Sequence, residues 1–348
     1  MRWIWIGFVF LLSALGVAQS NPPVFSTTTS YQKGAEIQYA GNTFRALNAV
    51  SASSNLPTTD YNDWELYFVR ADTTLMIGPS QTFPDIPTAW TYLLNATIAD
   101  GAYVHMIVGA GGADTENLSG PLILNHRNGA NISIVNNFGL VELQFPTGSA
   151  GIVISNGHKF GGIFGQTGLY ILGTSGTYGV QVNQNSTLSH CDELVINGFG
   201  EGMEAGSNSS IYSVNPGLEG DGDGAEALYG GYISLTSLDI GPGDLTGAGL
   251  LTIGGQIAAV NSTIEGCATG AWAKDGGFID VSGCTMTENN IGISSQYHSH
   301  VKAENAEISV STTDDIIANG ASTVDVIGAD YTTTQVYGQA MVLTETSQ

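Results

Sequence analysis

The feature that most constrains the fold is an internal repeat of 22 to 24 residues in the second half of the chain. Each copy has an apolar residue, a second apolar or small residue two positions on, and a third apolar residue five positions later. A further strand start falls between copies, at Ala271, Ile293 and Ile316. Six copies begin at Ile211, Ile233, Ile257, Ile279, Val301 and Val324.

This period excludes other repeat folds. Propeller blades need about 40–45 residues, and the Leu/Asn consensus of leucine-rich repeats is absent from the chain. A parallel β-helix fits the period, because each coil stacks on the next and equivalent residues form inward ladders. We therefore expect Ile257, Ile279, Val301 and Val324 to stack in one such ladder, with neighbours about 4.8 Å apart.

Composition supports a chain of short strands and many turns. The 348 residues include 47 glycines, and only 11% are charged, against about 25% in a typical globular protein. The net charge is −23, with 8 Lys and Arg against 31 Asp and Glu. So acidic a chain lacks the cations that would neutralise nucleic acid or an anionic membrane, which excludes both as expected partners.

The N-terminal region predicts export. Residues 1–18 read as a secretory signal peptide, with Arg2 before an apolar run and small residues before the cut. An uncleaved anchor is the alternative, although the run is short against the about 20 residues of a membrane span. Residues 19–30 are polar and contain a Pro pair, which is typical of a linker.

Residues 31–69 form an aromatic-rich block that resembles the small carbohydrate-binding modules of chitinases and phage tail proteins. The resemblance implies that Tyr31, Tyr39, Tyr61 and Trp64 contact sugar, since aromatic rings stack on sugar C–H faces. We expect Trp64 to be partly in the core and the three tyrosines to be exposed. The alternative is that the rings form the core of the block. The matching positions are Tyr31, Gly34, Ile37, Tyr39, Gly41, Phe44, Ala46, Pro57 and Trp64.

A short helix is predicted after Asp85, from the spacing of Ile86, Trp90, Leu93 and Leu94. A strand, a short helix and then many strands resemble the entry of pectin-lyase-like right-handed parallel β-helices, in which the helix caps the open end. The predicted fold is thus all-β: a right-handed single-stranded parallel β-helix over 70–335, with an N-terminal capping helix, a small N-terminal β module and a C-terminal tail over 336–348.

Acidic residues follow the third apolar position of several copies. We expect Asp221, Asp223, Asp244, Glu265 and Glu288 to lie along one edge of the coil. The alternatives are a solvated acidic face and a calcium site, for which Asp221 and Asp223 are the candidate ligands. No other cofactor is expected. The cysteines Cys191, Cys267 and Cys284 fit no zinc spacing. Buried thiols are the favoured interpretation, with a Cys267–Cys284 bridge as the alternative.

Known catalytic motifs are missing. Of the polygalacturonase signatures only an Asp-Asp pair occurs, Asp314-Asp315, and the basic residues match no pectate lyase motif. The whole pattern resembles phage tail-fibre or tailspike proteins and secreted bacterial proteins. It implies an extracellular, cell-surface or virion-borne protein that binds a polysaccharide or glycan, for which we also consider a homotrimer. The alternatives are a polysaccharide hydrolase or lyase that uses carboxylates on the β-helix face, and a purely structural component.

Overall fold

A computed structural model describes residues 22–52, 55–220, 222–242, 245–309, 311–331, 334–336 and 341–343. The predicted signal peptide, Asp221 and Asp244 lie outside the described residues. The fold is a right-handed parallel β-helix of about nine turns, with a small N-terminal sheet at one end. This confirms the predicted fold class.

Each regular coil contributes one strand to each of three faces. The first face, which we call sheet 1, is a stack of nine parallel strands. Its strands are Lys159–Phe160, Thr187–Leu188, Ser210–Val214, Tyr232–Thr236, Gln256–Val260, Phe278–Asp280, His300–Lys302, Thr323–Asp325 and Met341–Leu343.

The other two faces, sheets 2 and 3, are joined by the long strands Gly162–Val182 and Cys191–Gly206, whose pairing shifts register where they turn from one face to the next. Sheet 2 also contains Asp114–Asn117, Val141–Gln144, Gly217–Glu219, Asp239–Ile240, Thr263–Glu265, Thr285–Thr287, Glu307–Ser309 and Asp330–Tyr331. Sheet 3 also contains Leu122–Ile123, Ile152–Ile154, Asp223–Leu228, Ala248–Ile253, Thr269–Lys274, Ile291–Ser295, Asp314–Ala318 and Thr334–Val336.

The predicted inward ladder is confirmed. Ile257 pairs with Ile279, Ile279 with Val301 and Val301 with Val324, and all four side chains are fully buried. The ladder continues backwards through Ile233, Ile211 and Leu188. Like side chains on neighbouring coils thus cover one another, which removes apolar surface from water along the whole axis.

The N-terminal end combines a small sheet, a helix and three entry strands. Glu36–Tyr39 and Asn42–Ala46 form a hairpin, Trp64–Val69 pairs antiparallel with the second of these strands after a long loop, and Thr97–Ile98 adds to Trp64–Val69 in parallel. The helix spans Ile86–Leu93, and a 3-10 turn spans Gly129–Asn131. The entry strands Thr73–Met76, Val104–Val108 and Ile132–Asn136 pair in front of Gly162–Val182.

Two carboxylates hold the start of the helix. Asp85 is the N-cap and accepts the backbone N–H of Thr88 at 2.7 Å, and Glu116 accepts that of Ile86, also at 2.7 Å. Burial raises the pKa of Glu116 to about 7, while the Ile86 bond opposes that rise. The predicted helix is confirmed, although Leu94 lies outside it and is exposed. Its buried face closes the end of the coil.

The three cysteines are free and buried, so the bridge alternative was wrong. Cys284 lies on the inner side of the coil, where its thiol donates to the carbonyl of Ala259. Burial raises the pKa of the Cys284 thiol to about 11 and that of Cys191 further still. Among the described residues, no helix is long and apolar enough to cross a membrane.

Candidate functional site

The aromatic block does not present the surface that its sequence predicts. Trp64 is fully buried, and Tyr31 is 9% exposed. The Tyr31 ring lies 5.3 Å from the Trp64 ring and 5.8 Å from that of Phe25. Its hydroxyl is bonded to the backbone of Ser26. The expected exposure of Tyr31 was therefore wrong, because the block uses this ring to fill its own core.

Tyr39 and Tyr61 are half-buried rather than exposed. Tyr39 meets the ring of Phe25 edge-on at 5.6 Å, and Tyr61 lies 5.4 Å from Phe83, just before the capping helix. No aromatic residue within the described part of 31–69 is exposed, so the expected exposed ring was wrong. A role of the block in sugar binding stays a prediction.

Three residues of the predicted acidic edge lie among the described residues, at the turn between sheets 2 and 3. Asp223 begins a sheet 3 strand, whereas Glu265 ends a sheet 2 strand and pairs with Thr287, the residue before Glu288. Since Asp221 and Asp244 lie outside the described residues, a single acidic edge stays a prediction. A carboxylate oxygen of Asp223 accepts the backbone N–H of Ala248. No cluster that could hold a metal occurs among the described residues, which omit Asp221, so the calcium site stays a prediction.

The structure instead assembles four carboxylates on sheet 3, which we call the acidic patch: Glu201, Glu204, Asp223 and Glu226. Glu201 pairs with Asp223, and Glu204 pairs with Glu226, on neighbouring strands. Adjacent parallel strands lie about 4.8 Å apart. The patch arises because both pairs are separated by 22 residues, the length of one coil.

Glu226 is the most perturbed member of the acidic patch. It is 9% exposed, and it has no hydrogen bond or ion pair among the described residues. Burial raises its pKa to about 7, and the charges of Glu201, Glu204 and Asp223 add to the rise. Burial and the charge of Asp223 also raise the pKa of Glu201. Glu226 is thus a carboxyl that holds its proton close to neutral pH.

Glu204 sits in a different environment although it is the strand neighbour of Glu226. It accepts a hydrogen bond from the side-chain amide of Gln181 at 3.0 Å and is also bonded to the hydroxyl of Tyr178. Burial raises the pKa of Tyr178 to about 12, and the charges of Glu204 and Glu201 add to the rise. Tyr178 therefore stays a neutral donor that holds the Glu204 carboxylate in place.

Apolar side chains continue the row of the acidic patch along the axis. Leu251 pairs with Glu226 on the next coil, and Trp272 pairs with Leu251 one coil further. The amine of Lys274 lies 3.1 Å from the centre of the Trp272 ring. The buried indole nitrogen of Trp272 has no hydrogen-bond partner among the described residues. Along sheet 3, the carboxylates of the acidic patch are thus followed by the Trp272 ring and the Lys274 amine.

The patch is chemically suited to acid–base work. Glu226 keeps its proton close to neutral pH, whereas Glu204 beside it accepts hydrogen bonds from two donors. Two carboxyl groups in such different environments can take the separate roles of proton donor and carboxylate. Our sequence analysis singled out Asp223 and missed the other three members. They could have been found by applying the 22-residue period to every acidic residue rather than to the turns alone.

No protein-family model, no curated protein and no solved structure matches the chain.

Proposed function

We propose that this protein acts on a polysaccharide outside the cell or on a virion, and that the acidic patch hydrolyses glycosidic bonds. The observation that carries the proposal is that Glu226 lies beside Glu204 on the neighbouring strand, with a pKa raised to about 7 and no hydrogen bond or ion pair among the described residues. Glycoside hydrolysis needs two such carboxyl groups, one to give a proton and one to stabilise or attack the sugar.

The roles follow from the two environments. Protonated Glu226 gives its proton to the oxygen of the leaving sugar as the glycosidic C–O bond breaks, and the Glu204 carboxylate bonds to the anomeric carbon. Water then displaces Glu204 from that carbon and gives a proton to the Glu226 carboxylate, which restores both groups. Paired residues on neighbouring strands start about 4.8 Å apart at the backbone, which lets their side chains reach the about 5–5.5 Å that separates the carboxyl groups of retaining glycosidases. The proposal therefore includes retention of anomeric configuration in the product.

Adhesion without cleavage is the second candidate. It is favoured by tyrosines that are exposed on sheet 1 and in the turns that lead into it: Tyr212 is 43% exposed, Tyr229 70% and Tyr297 57%. Tyr212 and Tyr232 lie on neighbouring strands with ring centres 5.8 Å apart. Exposed rings of this kind suit sugar C–H faces, and binding there needs no catalytic group.

A reducing-end assay on a panel of neutral and anionic polysaccharides separates the two candidates. We expect the wild-type protein to release reducing ends from at least one polysaccharide, and Glu226→Gln to lower the rate at least a hundredfold, which is the usual contribution of a general acid. The control is Glu288→Gln, which changes an exposed carboxylate on another part of the coil. It should leave the rate unchanged.

Three results would overturn hydrolysis by the acidic patch. If no polysaccharide is cleaved but one is retained on the immobilised protein, adhesion is favoured, and Tyr212→Ala should then lower retention. If cleavage occurs but Glu226→Gln and Glu288→Gln behave alike, the acidic patch is not the catalytic site. A protein that neither cleaves nor retains any member of the panel would favour the structural alternative.

A further inference from the structure

We propose that a groove on the outer side of the entry strands is a binding site for an uncharged sugar residue. The groove has a volume of about 310 Å³ and is lined by Tyr103, His105, Ser133, Phe164 and His190, together with short backbone segments beside them. It lies on the first coils, away from the acidic patch. The inference rests on the proposed function for the class of ligand, a polysaccharide, and adds a second contact with it.

Two aromatic pairs form the walls. On one side, the rings of Tyr103 and His105 stack with 6.4 Å between centres and an angle of 14°. On the other side, Phe164 and His190 lie 5.6 Å apart at 31°. Tyr103 is 47% exposed, so an apolar ring face is available to a ligand. Aromatic faces on two sides suit a flat ring with C–H groups on its faces.

Two glycines form a gap between these walls. Gly162 pairs with Ser133 on the neighbouring parallel strand. A Cβ at Gly162 would lie 2.6 Å from the Phe164 ring. A Cβ at Gly161 would lie 2.6 Å from the carbonyl of Ile132. Any side chain at these positions would displace the ring or the neighbouring strand. The sequence Gly161-Gly162 thus lets the Phe164 ring lie against the backbone, where it forms a wall of the groove.

The floor of the groove is polar. His105 bonds the hydroxyl of Ser133 through Nδ1 at 2.8 Å, which leaves Nε2 for a ligand. Asn131 donates through its amide nitrogen to the carbonyl of Ala102 at 2.9 Å, which leaves its side-chain oxygen as an acceptor. One ring nitrogen and one amide oxygen beside aromatic walls match the hydroxyl groups at the edge of a sugar ring.

The lining contains no carboxylate, although the chain is acidic overall. None of the residues described as lining the groove is Asp, Glu, Lys or Arg. The nearby Asp192 is paired with His190 at 3.4 Å. The described lining contains no Lys or Arg that would bind a uronate or sulfate, and the net charge of −23 repels anions. An uncharged sugar is therefore the ligand that the groove fits.

The groove is long enough for more than one residue of a chain. A second depression of about 390 Å³ shares His105, Ser133 and Phe164 with the first and extends past Asn137 and Gln166. The ligand is therefore a segment of a neutral polysaccharide rather than a free monosaccharide.

The test is isothermal titration of the full chain with two neutral hexasaccharides, cellohexaose and chitohexaose, and with the anionic hexagalacturonate. We expect one neutral hexasaccharide to bind, with a Kd that does not change between low and high salt. Tyr103→Ala should weaken that binding about five- to tenfold, as expected for one lost ring contact. Tyr103→Phe keeps the ring and should bind as the wild type does, which also shows that position 103 tolerates substitution.

A matched variant outside the groove is the control. Val214→Ala shortens an exposed apolar side chain on a sheet 1 strand and should keep the wild-type Kd. The inference is overturned if neither neutral hexasaccharide binds, if hexagalacturonate binds more tightly, or if Tyr103→Ala binds as well as Tyr103→Phe. Cleavage that depends on Glu226 without any effect of Tyr103 on binding would overturn this inference alone. Binding that depends on Tyr103 without cleavage would overturn hydrolysis alone.

Discussion

Replacing Glu226 by Gln should stabilise the protein at neutral and alkaline pH while it removes activity. Gln has the shape of a protonated Glu and never ionises. The pKa of Glu226 is raised from 4.5 to about 7 in the folded protein, so the folded state is penalised whenever this carboxyl loses its proton. The penalty is absent well below pH 4.5 and grows as the pH rises towards 7.

The magnitude follows from the shift. One pKa unit corresponds to about 1.4 kcal/mol, so a rise from 4.5 to about 7 sets an upper bound of about 3 kcal/mol. Solvent at the edge of the sheet screens part of the repulsion from Glu201, Glu204 and Asp223. We therefore expect Glu226→Gln to raise the free energy of unfolding by about 1–2 kcal/mol at pH 8 and by less than about 0.5 kcal/mol at pH 5.

Urea unfolding followed by circular dichroism at the two pH values measures this difference. Glu288→Gln is the control, because this carboxylate is exposed, and its free energy of unfolding should match the wild type at both values. The reasoning is refuted if Glu226→Gln is less stable than the wild type at pH 8, or if the gain is the same at pH 5 and pH 8. The first result would mean that the carboxylate of Glu226 has a partner that the amide cannot replace, and the second that the gain does not come from ionisation of this carboxyl.

Three further changes test the fold. Ile279→Ala removes a fully buried side chain from the inward ladder and should lower the free energy of unfolding by about 2–5 kcal/mol in urea. A Cβ at Gly231 would lie 1.8 Å from a backbone oxygen of the neighbouring coil, whereas one at Gly120 meets nothing within 4 Å; Gly231→Ala should therefore lower the melting temperature clearly and Gly120→Ala should not. Glu116→Ala leaves the first N–H of the helix without its acceptor and should cost about 1–2 kcal/mol, detectable as faster hydrogen exchange of the backbone amide of Ile86.

The inward ladders could be predicted because a parallel β-helix converts a sequence period directly into contacts. Ile257 and Ile279 are 22 residues apart and lie side by side, and no other information was needed to place them. The capping helix followed from equally local signals, since Asp85 at the N-cap and the apolar spacing of Ile86 and Trp90 are both visible in the chain.

The aromatic block shows where such local reasoning fails. Whether Tyr31 faces solvent depends on Phe25 and Trp64, which approach it only after folding. Phe25 belongs to the segment that reads as a linker, yet it stacks on Tyr31. A motif specifies which rings are present, but the number of rings available to fill a small core decides which of them remain exposed.

The acidic patch was hidden for a different reason. The period had been read from apolar residues, and acidic residues were assigned to turns, where charged side chains usually lie. Glu204 and Glu226 are instead placed in the middle of sheet 3 strands, one coil apart.

A stack of parallel strands brings like charges about 4.8 Å from one another, and repulsion at that distance works against folding unless a proton or another group offsets it. Two neighbouring coils carry carboxylates at the same two positions of their sheet 3 strands. The amine of the nearby Lys274 lies over the Trp272 ring and is not paired with any of these carboxylates. A stability cost concentrated on one short stretch of one face is the pattern expected of a site retained for its chemistry, and this is why the acidic patch, rather than the aromatic block, carries the functional proposal.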